Sequence, residues 1–197
     1  MKKQKIANLV MVLIILIIAI VGITIAFHLR AEQETGLGSL YHINKIADNA
    51  LITPGEENNV CTITIVCDTI LDNLDNLEEE KAPYVPKDAV ILPKTQVSFT
   101  EGDTVFEVLQ KVCAAAELQI EYSWTPMYNS YYIEGINHLY EFDCGNESGW
   151  MYKVNEWFPN YGCSAYTLKN GDDIVWCYTC NGLGADVGEI WMGDDNA

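Results

Sequence analysis

Seven cysteines and a crowd of aromatic rings are what this 197-residue chain offers for chemistry. Cys177-Tyr-Thr-Cys180 has Cys-x-x-Cys spacing, which suits metal ligation or thiol–disulfide exchange. A zinc site of that kind wants a second such pair or nearby histidines. A redox motif opens a helix, whereas this pair closes the strand-like run Ile174–Cys180. A thiol-active enzyme using Cys177 and Cys180 therefore stands behind two binding readings. No Gly-x-Ser-x-Gly elbow, His-Glu-x-x-His helix or phosphate-binding loop occurs in the sequence. Arg30 is the sole arginine, so bidentate Arg–carboxylate and Arg–phosphate clamps are excluded from everything after it. The chain reads as a non-enzyme without a resident cofactor. His138 is the one histidine after residue 60. It could serve as an axial metal ligand, or sit in a loop satisfied by water or backbone.

The rings fall into two groups. Trp150, Tyr152 and Trp176 lie in alternating runs and are expected to serve mainly as core. Trp124, Tyr128, Tyr131 and Tyr132 lie in polar surroundings, as do Trp157, Phe158 and Tyr161. Tyr and Trp combine flat apolar area with a hydrogen-bonding edge, which suits sugars, flat small molecules and protein partners. These seven are the candidate ligand-binding residues. The competing reading is that the loops fold back and bury their own rings.

The elements that must position them are legible from periodicity. Val60–Cys67, Thr95–Thr100, Leu118–Trp124, Gly149–Asn155 and Asp173–Cys180 alternate as strands with one buried face. Val105, Val108, Leu109, Val112 and Cys113 form a helical stripe, and Thr104-x-x-Glu107 fits a capping box at its start. Thr125–Gly149 reads as a long connection rich in Tyr, Asn and Gly. Ile70, Leu71, Leu74 and Leu77 have helical spacing inside an acidic insertion that reads as a solvated face. The order ββα followed by further strands predicts an α+β domain, a β-grasp-like small mixed sheet crossed by one helix.

Strand geometry also constrains the sulfurs. Cys61 and Cys67 share a face but lie about 20 Å apart along an extended strand, beyond the roughly 7 Å Cα limit for a bridge. If the first and last strands run parallel, Cys67–Cys180 is favoured, leaving Cys61–Cys113. Cys144 and Cys163 flank the aromatic excursion and are placed to close it. Parity then leaves Cys177 as the unpaired thiol.

Ile6–Phe27 is an uncharged apolar run, long enough to cross a bilayer, which takes about 20 residues. Lys2, Lys3 and Lys5 precede it and favour a cytoplasmic N-terminus. The expected layout is a cytoplasmic stub and signal-anchor helix over 1–29, a stalk over 30–59, a domain over 60–182 and an acidic tail over 183–197. That makes a single-pass type II membrane protein with its C-terminal domain outside the cell, where disulfides persist. All 28 acidic residues follow the apolar run, against 8 of the 11 basic ones, a balance of −20 outside. Such a surface repels phosphate backbones and excludes nucleic acid as a partner.

Ser148-Gly-Trp-Met-Tyr-Lys-Val-Asn155, followed by Gly171-Asp-Asp-Ile-Val-Trp176, resembles the transcobalamin-like C-terminal domain, a β-rich module of Gram-positive surface proteins. The likeness runs from about Val60 to Gly182 and implies a β-grasp fold. It also implies cobalamin or another corrinoid as a ligand, with a partner chain supplying the helical barrel that such proteins place opposite. On that reading His138 is a conceivable cobalt ligand. One turn departs from the pattern. Asn-Gly is expected after the first run, because a two-residue type I′ turn needs two residues with positive φ. Glu156 follows Asn155 instead, so the turn is either longer or strained. The leading expectation is thus a membrane-anchored, extracellular, non-catalytic binding module. The alternative is a surface adapter for a wall glycan or another protein.

Overall fold

The fold is built on two parallel strands at the centre of a mixed sheet. The computed structural model describes residues 59–181 and 184–188. The apolar run Ile6–Phe27, the stalk up to residue 58 and the tail beyond Gly188 lie outside the described residues. Among the described residues, no helix is long and apolar enough to cross a membrane.

Strand β1 (Asn59–Val66) lies between β2 (Val90–Phe99) and β7 (Asp173–Thr179), and β6 (Gly149–Val154) completes the order β2-β1-β7-β6. β1 runs antiparallel to β2 and parallel to β7, with Val66 opposite Cys177. β6 runs antiparallel to β7. β1 buries Cys61, Ile63 and Ile65 and turns the intervening residues outward, the alternation a half-buried strand requires. β2 begins earlier than its periodicity suggested, because Pro93 sits inside it. The register places Ile63 opposite Thr95 and Ile65 opposite Leu92, so Pro93 and Lys94 together face Thr64. Proline has no N–H for the ladder and is tolerated at such a bulge on an edge strand.

A four-residue helix, α1 (Asp68–Leu71), follows β1, and two 3-10 turns, Leu74–Asn76 and Glu79–Tyr84, occupy the rest of the acidic insertion. The stripe Ile70, Leu71, Leu74, Leu77 thus forms only one short helix, and Leu74 is exposed. Helix α2 (Val105–Ala116) buries Val105, Val108, Leu109, Val112 and Cys113, the predicted face. Its capping box is present: the Thr104 amide donates to the Glu107 carboxylate at 2.8 Å.

The expectation of one sheet is corrected. β3 (Ile120–Thr125), β4 (Ser130–Ile136) and β5 (Leu139–Tyr140) form a separate three-stranded antiparallel sheet. Two of its strands occupy what reads in sequence as a loop. Asn137 and Asn129 turn the chain there with φ of 54° and 46°, and His138 does so with φ of 63°, a conformation Asn tolerates. Two aromatic polar groups tie this sheet to the larger one. Trp150 Nε1 donates to Leu139 O at 2.8 Å, and Tyr178 Oη donates to Tyr140 O at 2.6 Å. Both acceptors belong to β5, and Tyr140 O accepts from the Asp143 amide at 3.3 Å as well.

Candidate functional site

Between the two sheets lies a cavity of about 190 Å³. β4 supplies Tyr131, Tyr132 and Ile133 to its wall, β6 supplies Trp150, Met151 and Tyr152, and β7 supplies Trp176. The β6–β7 connection adds Phe158, Pro159, Gly162 and Cys163. No lining residue carries a formal charge at neutral pH.

The walls are held by specific bonds. Ser130 Oγ and Ser164 Oγ are 2.8 Å apart, and the Tyr131 amide donates to Ser164 Oγ at 3.0 Å. This latch fastens the β6–β7 connection to β4. Gly162 permits it by close approach, since a Cβ there would meet Ser130 Oγ at 2.0 Å. Tyr152 Oη donates to Tyr161 O at 2.7 Å, drawing the same connection onto β6. The connection also closes the start of α2, whose Phe106 amide donates to Cys163 O at 3.2 Å. Tyr131 then stacks on Phe106 with centroids 4.3 Å apart.

Electrostatically the site is quiet. Burial, followed by the hydrogen bond and charge of Glu141, pushes the Tyr132 hydroxyl above the ordinary tyrosine range; its Oη donates to Glu141 Oε2 at 2.6 Å. Burial alone accounts for most of the rise at Tyr152. The Cys163 thiol is pushed up to about 12, chiefly by burial, and donates to Tyr131 O at 3.5 Å. It is therefore a thiol, not a nucleophilic thiolate, near neutral pH. Trp176, only 2% exposed, has an indole N–H buried without a hydrogen-bond partner. What this arrangement can do is hold an uncharged, ring-bearing or aliphatic group.

Of the seven candidate binding residues, Tyr131, Tyr132 and Phe158 line the cavity. Trp124 and Tyr128 do not; they lie at the β3–β4 hairpin, 48% and 71% exposed. Trp157 forms an isolated bridge with Val154, and Tyr161 lies against Tyr166 with centroids 6.0 Å apart. Trp150, Tyr152 and Trp176 read as core in sequence; they are core on one side and cavity wall on the other. Ring type and loop position signalled the upper wall only. His138 lies outside the cavity lining, exposed on the β4–β5 turn with its ring 4.6 Å from Tyr84.

The sulfurs also differ from expectation. All seven cysteines are free thiols here. The strands do run parallel, yet the Cys67 thiol donates to Ala89 O at 3.5 Å. Cys144 and Cys163 do not face each other: the Cys163 thiol donates to Tyr131 O, while the Cys144 thiol donates to Asn73 O and has Cys180 as its neighbour. Cys177 and Cys180 do not act as a Cys-x-x-Cys unit either. Strand alternation parts them, and the Cys177 thiol, pushed up to about 12 by burial, points to Met151 O at 3.7 Å. Among the described residues no group of three or more His, Cys, Asp or Glu is placed to hold a metal.

Fold and site together define an α+β module for holding a group rather than transforming it. Residues 102–180, about two fifths of the chain, match the family described as Domain of unknown function (DUF4430), which links the module to that superfamily. Among solved structures, a protein from Ruminococcus gnavus described as metal binding is similar at 12% identity and a TM-score of 0.41, over 63% of this chain and 99% of that one. Haptocorrin in complex with Cbi is similar at 12% identity and a TM-score of 0.42, over 64% of this chain and 26% of that one. Both likenesses are too distant to carry a ligand from one protein to the other. No curated protein sequence matches the chain.

Proposed function

We propose that this domain is a non-catalytic binding module, held outside the cell by the span Ile6–Phe27, whose aromatic cavity grips one edge of a flat small molecule. A corrinoid is the candidate, through the sequence resemblance. The observation that carries the reading is the uncharged cavity walled by Tyr131, Tyr132 and Phe158 on one side and Trp150, Tyr152 and Trp176 on the other. Its volume of about 190 Å³ is below the roughly 300–1,000 Å³ of sites that engulf a drug-sized ligand. A corrinoid would enter by an edge or an amide arm, and a partner chain would cover the remainder.

Trp fluorescence tests this directly. Titrating the full chain in mild detergent with cobalamin, and separately with cobinamide, is expected to give saturable quenching. Tyr132→Ala should weaken binding by about tenfold, the loss of one stacking contact of order 1.4 kcal/mol. No quenching at high micromolar ligand would remove the corrinoid reading.

A second reading, a surface adapter, is favoured by a different observation. Trp124, Met127 and Tyr128 stand exposed on the β3–β4 hairpin, and β3 is a sheet edge. Exposed Trp and Tyr next to unpaired strand backbone suit a protein or glycan partner. Here Tyr128→Ala should abolish capture of a surface component while leaving any corrinoid titration unchanged.

A further inference from the structure

Two thiols meet where the β5–β6 connection crosses the end of β7. Cys144 is buried in that connection, and Cys180, half-buried, follows β7 directly. The two thiols are neighbours, close enough for each to shift the other's titration. Both also rest on α1 and its exit: Cys180 Sγ is 3.4 Å from Thr69 Oγ1, and Cys144 Sγ is 3.5 Å from Asn73 O. Asn73 Nδ2 in turn donates to Thr69 O at 2.8 Å, so the two supports are themselves joined.

The backbone on either side is anchored as well. The Cys144 amide donates to Ser148 Oγ at 3.1 Å, and that hydroxyl lies 3.0 Å from Tyr178 Oη. The Cys180 amide donates to Asp186 Oδ2 at 2.9 Å. Meanwhile Cys67, Cys163 and Cys177 direct their thiols to the carbonyls of Ala89, Tyr131 and Met151.

We propose that Cys144 and Cys180 form a disulfide when the domain meets a disulfide-bearing oxidant, tying the β5–β6 connection to the end of β7. Two neighbouring sulfurs, each resting on the same short helix and its exit, must close to about 2.05 Å, a side-chain adjustment between anchored backbones. Cys180 is the attacking sulfur. It is the more exposed of the two; burial raises its thiol above the ordinary range, and the polar contacts with Thr69 and Cys144 offset part of that rise. Cys144 is held protonated by burial, its thiol pushed up to about 12. The Cys180 thiolate displaces one thiolate from the oxidant, giving a mixed disulfide. Cys144 then attacks the Cys180 sulfur and displaces the second. Two protons leave the cysteines for the departing thiolates, and two electrons pass to the oxidant, which ends as two thiols. The bond needs no ligand in the cavity.

The test uses the full chain in mild detergent, reduced, freed of reductant and then held with oxidised glutathione. Alkylation under denaturing conditions, digestion and mass spectrometry without reduction should find the Cys144 peptide joined to the Cys180 peptide. The melting temperature should rise on oxidation and fall back with reductant. Cys144→Ser should leave Cys180 as the unresolved mixed disulfide with glutathione, joined to no other cysteine of the chain, and should lose the rise in melting temperature on oxidation. Linkage of Cys180 to Cys67, linkage of Cys144 to Cys163, or alkylation of both Cys144 and Cys180 in the wild-type chain would overturn the proposal. Should the serine variant not fold, the wild-type peptide map decides alone.

Discussion

Asn155 and Glu156 carry φ of 53° and 70°, and Val154 and Trp157 bridge across them, so they form a two-residue turn of the type I′ class. The sequence predicts either strain or a longer turn here, and the structure takes the strain. A non-glycine residue in the left-handed region costs roughly 1–2 kcal/mol, part of which glycine gives back as unfolded-chain entropy. Glu156→Gly should therefore raise stability by about 0.5–1 kcal/mol, read as a shift in the urea midpoint at constant m. Gly162 behaves oppositely. A Cβ at this position would collide with Ser130, at 2.0 Å from Oγ and 2.3 Å from Cβ. Gly162→Ala should cost about 1–3 kcal/mol and loosen the latch that holds the cavity wall, seen as lost near-UV circular dichroism. Nothing in the sequence around Gly162 announces the first contact, because Ser130 lies 32 residues away.

At the scale of elements, the clearest link is between the two sheets. Tyr178 Oη donates to Tyr140 O and meets Ser148 Oγ, joining β7, β5 and the start of β6. Tyr178→Phe keeps the ring and strands two buried polar partners. It should destabilise the domain by about 1–3 kcal/mol in denaturant melts. Helix α2 and strands β1, β6 and β7 were legible in advance, since each shows its period over six residues or more. β4 and β5 were not. β5 is two residues long, and the turns at Asn129 and Asn137-His138 contain no glycine. The aromatic residues of β4 belong equally well to a binding loop. Edge-strand β2 was half legible, because Pro93 reads as a terminator and acts as part of a bulge.

Across the whole molecule, buried sulfur governs the response to pH. Cys61, Cys67, Cys113, Cys144, Cys163 and Cys177 are each raised from 9.0 to about 12, with burial the largest cause. Above pH 9 the unfolded chain loses these protons while the folded chain keeps them. The unfolded state then binds fewer protons, so stability falls as pH rises. In the reduced protein the loss should run between pH 9 and about pH 12 and amount to several kcal/mol, measured by urea melts at successive pH values. Closing Cys144–Cys180 removes one of these groups and constrains a loop of 36 residues' separation. By chain entropy that adds about 4 kcal/mol, visible as a higher melting temperature under oxidising conditions.

The sequence alone determined whatever depends on local period and composition: the first and last strands, the capped helix with its buried stripe, the acidic composition and the lack of enzyme motifs. Three of the seven candidate rings, Tyr131, Tyr132 and Phe158, line the cavity. Tertiary structure decided the rest. Which face of Trp150, Tyr152 and Trp176 meets open space depends on how the second sheet leans on the first, and two hydrogen bonds to β5 set that. Which sulfurs are neighbours was set the same way. Cys144 meets Cys180, not Cys163, because the β5–β6 connection is pulled onto α1 and β7 by Ser148 and Asn73. A one-dimensional spacing rule cannot see such contacts, since the distance that counts is measured through the core and not along the chain.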